Sequence, residues 1–389
     1  MPSELIVFSM FLIFTGAAIL AGVALYLRQS MLVAYIALGA LAGPWGLGLL
    51  SEASTIQGIG HVGIIFLLYL LGLNLHPQKL LRMMREATLV TLASSLAFAA
   101  LGFAITKAFG YSLAEGLLVG AACMFSSTII GLKLLPTTAL HHRHVGEIII
   151  SVLLLQDIVA ILILLALEAL GHESPAWREA ALLVFALPAL AVFAFAAERL
   201  VLIRLIRRYD TIQEFVFLVA IGWCLGIGQL GHLMGLSYEM GAFVAGVTLA
   251  SSPIATFIAE SLKPLRDFFL IMFFFSLGAG FELPMLPHVA LPATVLALAM
   301  LAAKPLVFRT LLVFEREEPR LAREIGVRLG QMSEFTLLIA VLAASAGVVA
   351  AEVSYMLQAA TLITFICSAY LVMFRYPTPI AVNEALRRD

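Results

Sequence analysis

The chain has 389 residues, 62% hydrophobic and 12% charged, with mean hydropathy +1.06 and a net charge of −1. That balance excludes a soluble globular protein and leaves a polytopic membrane protein whose surrounding partner is membrane lipid. The net charge itself says nothing about partners, and nucleic acid is not expected among them.

A helix needs about 20 apolar residues to cross a bilayer. The sequence supplies about 13 such stretches, near residues 4–27, 31–50, 56–75, 87–109, 113–135, 145–170, 179–202, 213–231, 236–253, 266–283, 289–313, 325–347 and 354–375. Too little chain remains for a sizeable soluble domain. The first stretch has no preceding basic residue and no small-residue cleavage site, which reads as a retained helix. Cys123, Cys224 and Cys367 fall inside apolar runs without metal spacing, as packing residues do.

In chain order, stretch 2 carries YIALGALAG from Tyr35, and stretch 3 ends in LGLNLHP at Pro77. Stretch 5 holds Ser126, Ser127 and Thr128 at its centre, followed by Gly131. Hydroxyls can satisfy freed backbone groups and glycine relaxes a helix, so a break is expected there. Continuous helices packed by polar residues are the plainer alternative. Stretch 6, VGEIIISVLLLQDIVAILILLALEALG, buries Asp157 with Gln156 beside it. A carboxylate at such depth costs roughly 2.5–3.5 kcal/mol, so it is read as part of an ion or proton pathway. A structural Asp bonded to neighbouring helices is the alternative. His141, His142 and His144, just before stretch 6, read as a solvated turn in preference to a metal or pH-sensing cluster.

Stretch 9 reads YEMGAFVAG from Tyr238, and stretch 10 ends in LGAGFELP at Pro284. Stretch 11 contains Lys304 next to Pro305, for which Asp157 is the expected charge partner. Snorkelling to the surface is the other option. Stretch 12 carries Gly330, Gln331, Met332, Ser333 and Glu334, a second expected break. H-E-x-x-H, the P-loop and the nucleophile elbow are all missing from the sequence, which argues against an enzyme.

Sorting Lys and Arg over alternating connections puts nineteen of the 23 on one side, two on the other and two inside spans. By the positive-inside rule the N-terminus is outside and the C-terminus cytoplasmic. The motifs of stretches 2, 3 and 5 recur in stretches 9, 10 and 12 at an offset of roughly 205 residues, and corresponding spans differ by seven, an odd number, so the second copy is inverted. The expected architecture is all-α, with two inverted six-helix repeats in one transmembrane domain over 1–389. The first repeat covers about 4–170, a linker helix about 179–202, and the second repeat about 213–375. Inverted repeats with paired broken helices are an architecture of secondary transporters.

With AYIALGALAGPWGLG, GIIFLLYLLGLNLHP, SSTIIGLKLL, LLLQDIVAILIL, GAFVAGVTLASS, Lys304 and GQMSEF in place, the chain resembles the monovalent cation/proton antiporter-2 family, in particular its Kef-type potassium/proton branch. The resemblance runs over nearly all the spans. It implies a sodium/proton antiporter-like fold in which broken spans 5 and 12 cross, and a homodimer in the plasma (inner) membrane. It implies that Asp157 carries the cation and proton, that Gln156 helps to coordinate the cation, and that Lys304 pairs with Asp157. Ser126, Ser127 and Thr128 would lie at the first crossing, with Gln331, Ser333 and Glu334 at the second. K⁺ or Na⁺ and H⁺ would be the transported ions, K⁺ favoured, with no permanently bound cofactor. The chain departs from the Kef pattern in three places. No soluble nucleotide-binding domain follows the membrane part, PIATFIAESLKPLRD replaces the acidic loop after span 9, and Asn74 replaces a common Glu. These departures leave two expectations, regulation by a separate cytoplasmic regulatory subunit or no such regulation. A cation channel of the same fold and a solute symporter of a related crossed-helix fold are the competing functions.

Overall fold

The structure is a computed structural model that describes residues 2–377 apart from 28, 51–52, 75–76, 129–130, 132–143, 171–175, 210–211, 251, 253–254, 256–257 and 259–260. His141 and His142 therefore lie outside the described residues. Every regular element among the described residues is helical.

The first half comprises α1 (Pro2–Tyr26), α2 (Met31–Ala42), α3 (Ala53–Asn74), α4 (Pro77–Ala108), α5 (Leu113–Cys123) and α6 (His144–Leu170). Then come α7 (Ala176–Ala197), a π-helical turn (Glu198–Leu202) and α8 (Ile203–Arg208). The second half comprises α9 (Gln213–Leu233), α10 (Tyr238–Ala250), α11 (Lys263–Ala279), α12 (Leu286–Phe314), α13 (Pro319–Arg328), α14 (Glu334–Ser345) and α15 (Ala351–Arg375). Proline opens α4 and α13, where its missing N–H costs no intrahelical bond. Ser112 and Glu115 cap α5 reciprocally, the serine hydroxyl accepting from Glu115 N and the Glu115 carboxylate from Ser112 N.

Among the described residues, seven segments are long and apolar enough to cross a membrane by length and composition. Shorter apolar helices of 10–17 residues occupy the remaining apolar stretches, among them α2, α5, α10 and α14.

The chain divides into two compact units. The first contains Met1–Ala17, Tyr35–Leu81 and His172–Gly280. Within it, α10 packs on α3 so tightly that a Cβ on Gly246 would collide with the Tyr69 carbonyl, and one on Gly72 with the Phe243 carbonyl. Likewise a Cβ on Gly39 of α2 would strike the Phe275 carbonyl of α11, and one on Gly278 the Ile36 carbonyl. Gly39 of YIALGALAG and Gly246 of YEMGAFVAG thus do the same work, each bringing its helix onto a helix of the other half. Small residues at helix contacts are the membrane solution to packing without a hydrophobic driving force.

The second unit contains Ala18–Ala34, Arg82–Gly171 and Phe281–Asp389. It holds every candidate site residue. Its core is built from α6, α12, α14 and α15, with the half-helices α5 and α13 against them.

Candidate functional site

Two helices of the second unit are interrupted where the hydroxyl- and glycine-rich runs fall. The first stops at Cys123, and residues 124–127 are non-helical before Thr128. The second stops at Arg328, and residues 329–333 are non-helical before α14 starts at Glu334. Each break frees backbone N–H and C=O groups inside the protein, and each such group needs a partner.

The two breaks meet. Ser126 Oγ donates to the Leu329 carbonyl at 2.8 Å, and Gln331 Nε2 donates to the Ser127 carbonyl at 3.4 Å. Thr336 Oγ1, on the first turn of α14, donates to the Ala122 carbonyl at the end of α5 at 2.7 Å. Ser333 caps α14, its hydroxyl accepting from Phe335 N at 3.1 Å while Thr336 Oγ1 accepts from Ser333 N at 3.4 Å. Ser126, Ser127, Gln331 and Ser333 are all buried.

Asp157 lies midway along α6 with 5% of its surface exposed. Thr128 Oγ1 donates to its Oδ1 at 3.3 Å. Glu334, the first residue of α14, is within electrostatic reach of the same carboxyl group. Two carboxyl groups, of Asp157 and Glu334, and one hydroxyl, of Thr128, thus come together near the crossing.

Two site residues have partners that the sequence did not suggest. The Gln156 amide is engaged with the first break. Its Oε1 accepts from Ser126 N at 2.9 Å and its Nε2 donates to the Met124 carbonyl at 3.2 Å. The physical reason is the break itself, which leaves that N–H and that carbonyl without helical partners, and the side-chain amide replaces both.

Lys304 is the second such residue. It is fully buried, yet its ammonium forms no ion pair with Asp157. Lys304 Nζ donates instead to the Phe125 carbonyl, to the Gln331 carbonyl at 3.2 Å and to Ser126 Oγ at 3.4 Å. It also lies 5.0 Å from the centre of the Phe98 ring. α5 and α13 both end at the crossing, so their partial negative charges converge there, and a cation at two helix C-termini offsets them. Lys304 therefore serves as a staple between the breaks.

Several contributors escape sequence reasoning. Met332 N donates to Thr364 Oγ1 at 3.1 Å, and Ser368 Oγ donates to Gln331 Oε1 at 3.0 Å, both from α15. They belong to a buried stripe, Ser354, Gln358, Thr361, Thr364 and Ser368, at helical spacing of three and four. That polar periodicity inside an apolar helix was the available signal. Phe98 had no such signal. His144, at the start of α6, meets Glu317 through Nε2 and Oε1 at 2.8 Å.

The family description "sodium/hydrogen exchanger, transmembrane" matches residues 11–373. The chain belongs to that family. It is a multi-pass membrane protein of a cation/proton antiporter family and not an enzyme. It is 31% identical over 347 residues to the glutathione-regulated potassium-efflux system protein KefC of Escherichia coli (strain K12), covering 84% of this chain and 54% of KefC. The chain thus spans about half the length of that relative. It is 24% identical over 378 residues to the iron transporter MagA of Paramagnetospirillum magneticum, covering 96% of this chain and 87% of MagA. Among solved structures it resembles the sodium proton antiporter MjNhaP1 from Methanocaldococcus jannaschii, with TM-score 0.68, 18% identity, and 95% and 96% of the two chains covered. The sodium/proton antiporter-like fold expected from the motifs is therefore the fold of this protein.

Proposed function

We propose that this exchanger couples a monovalent cation, K⁺ in preference to Na⁺, to the opposite movement of a proton at Asp157. The observation that carries the reading is a nearly inaccessible carboxyl group in an apolar helix, hydrogen-bonded by Thr128 beside a crossing of two helix breaks. A carboxylate that holds either a proton or a partly dehydrated cation couples the two fluxes by competition alone. Alternating exposure of the site to the two sides completes the cycle. Gln156, Lys304 and Ser126 hold the breaks in shape around it.

Exchange is one-for-one and electroneutral if Asp157 alone carries the proton. Glu334→Gln should then retain exchange. The protein works as a homodimer in the plasma (inner) membrane, N-terminus outside and C-terminus cytoplasmic, with no resident cofactor and with regulation by a separate cytoplasmic subunit. The K⁺ preference draws on the KefC likeness.

Proteoliposomes carrying a pH-sensitive dye test this directly. K⁺, Na⁺, Li⁺, choline or Fe²⁺ is added to wild type and to Asp157→Asn, with and without a potential clamp. Cation-specific proton movement by wild type alone, unaffected by the clamp, is expected. Exchange surviving in Asp157→Asn would remove the carboxylate mechanism. Cation current without proton movement would make the protein a channel, and a response to Fe²⁺ alone would move it toward the MagA relative.

A further inference from the structure

Arg328 is the last residue of α13 and immediately precedes the second break. Its side chain is only 1% exposed. Nε and Nη2 donate to Glu324 Oε1 at 2.9 and 2.8 Å, and Nη2 also donates to the Pro377 carbonyl at 2.9 Å. The guanidinium lies 5.6 Å from the centre of the Tyr376 ring. One buried cation thus joins three things: its own half-helix, the chain just past the end of α15, and the start of the break.

A buried guanidinium is expensive unless its donors are used, and replacing it with an apolar side chain is often the more stable choice. Its placement here has a mechanical consequence. α13 has 10 residues. It packs closely on α12, and the residues directly after it form the crossing. The carbonyl of Leu329 accepts from Ser126, and the carbonyl of Gln331 accepts from Lys304. On its other side α13 meets α12 at Gly326, where a Cβ would come within 2.6 Å of the Pro305 carbonyl, one residue from Lys304. Any slip of α13 along its axis would therefore be felt at both the staple and the break.

We propose that Arg328 is a positioning residue for cation exchange: by clamping α13 to Tyr376 and Pro377 it fixes the spacing of Leu329 and Gln331 around Ser126 and Lys304. It touches neither ion. Its effect reaches Asp157 only through the geometry of the crossing, so loss of the clamp loosens cation binding before it slows turnover. The inference rests on the exchange function proposed above.

The test uses reconstituted wild type, Arg328→Gln, Arg328→Lys and Tyr376→Leu. Apparent KM for the cation, maximal rate, the pH profile of exchange and thermal stability of the purified protein are read together. Arg328→Gln should raise KM about tenfold, the scale of losing charge-assisted hydrogen bonds. Arg328→Lys should recover part of that, because an ammonium keeps the charge but not the planar fork. Tyr376→Leu should raise KM about threefold through loss of the ring face alone. Wild-type KM and pH profile in Arg328→Gln and Tyr376→Leu would overturn the proposal. So would a fall in maximal rate with KM unchanged, which signals fewer folded molecules. Should Arg328→Gln fail to fold, Arg328→Lys and Tyr376→Leu decide on the same KM measurement. Wild type that exchanges no cation for protons would instead overturn the exchange function itself.

Discussion

The seam between α3 and α10 and the crossing of the two breaks both bring backbones into close contact inside an apolar protein, by opposite means. Along the seam the helices are continuous and their backbone groups bond within each helix. What the seam needs is room, which Gly72 and Gly246 supply. At the crossing the backbone is freed, and what it needs is partners. Gln156, Lys304, Ser126, Thr336 and Thr364 provide them. Closeness removes side chains, whereas interruption demands polar ones, so the polar residues mark where the chain spends structure on a site.

The sharpest way to break that contrast is to exchange the requirements. Gly246→Leu places carbon where the Tyr69 carbonyl and Leu73 amide already sit. Backbone cannot yield as a side chain does, so destabilisation of about 3 kcal/mol or more is expected. A Cβ on Gly131, just past the first break, would meet nothing closer than Leu153 Cδ1 at 3.5 Å, an ordinary contact. Gly131→Ala should therefore stay within about 1 kcal/mol of wild type. Thermal unfolding of both variants in detergent checks the pair, and equal losses would dissolve the distinction.

Lys304→Met comes next. It leaves the Phe125 and Gln331 carbonyls buried without this donor, at about 1–3 kcal/mol each, offset in part by release of the lysine's own desolvation cost. A net loss of about 2 kcal/mol and a marked drop in exchange are expected. Unchanged melting would mean that the ammonium does not staple the breaks.

Much of this arrangement is written in the residues, and the rest is written in backbone. Apolar run length locates the helices. Hydroxyls and glycine inside two such runs, at one offset, locate the breaks. The partner of Lys304 is harder to read. Opposite charges suggest Asp157, but the stronger claim on the ammonium comes from carbonyls at two helix ends, and a carbonyl has no letter of its own. The partners of Gln156 are hidden for the same reason, because they are the amide of Ser126 and the carbonyl of Met124. The α15 stripe was legible at its three-and-four spacing, since a face of Ser, Thr and Gln in an apolar helix has something to bond.

That stripe gives a smaller prediction. Thr364→Val keeps the shape of the side chain but removes the oxygen that accepts from Met332 N. About 1–2 kcal/mol of stability should be lost, the cost of one buried donor left without its acceptor. Thr361→Val, whose hydroxyl donates to its own helix at the Leu357 carbonyl, should cost less. If the two substitutions melt alike, α15 supports the second break by packing alone.

The smallest expected effect lies outside the crossing, where α4 connects to α5. Tyr111 OH donates to Glu352 Oε1, in the first turn of α15, at 3.2 Å, and Lys107 Nζ donates to the Tyr111 carbonyl at 2.8 Å. Burial first, and the Glu352 carboxylate second, push the phenol up to about 12 from its ordinary 10. The folded state therefore favours the neutral phenol. Its contribution is fully present below about pH 10 and fades as pH rises from there toward 12. Because the group is partly open to solvent, the tie is worth only about 0.5 kcal/mol. Tyr111→Phe should lower the melting temperature by about 1–2 °C, with a constant difference from about pH 6 to pH 9 that narrows above pH 10. A difference that instead widened at alkaline pH would mean that the phenolate, not the phenol, stabilises this end of α15.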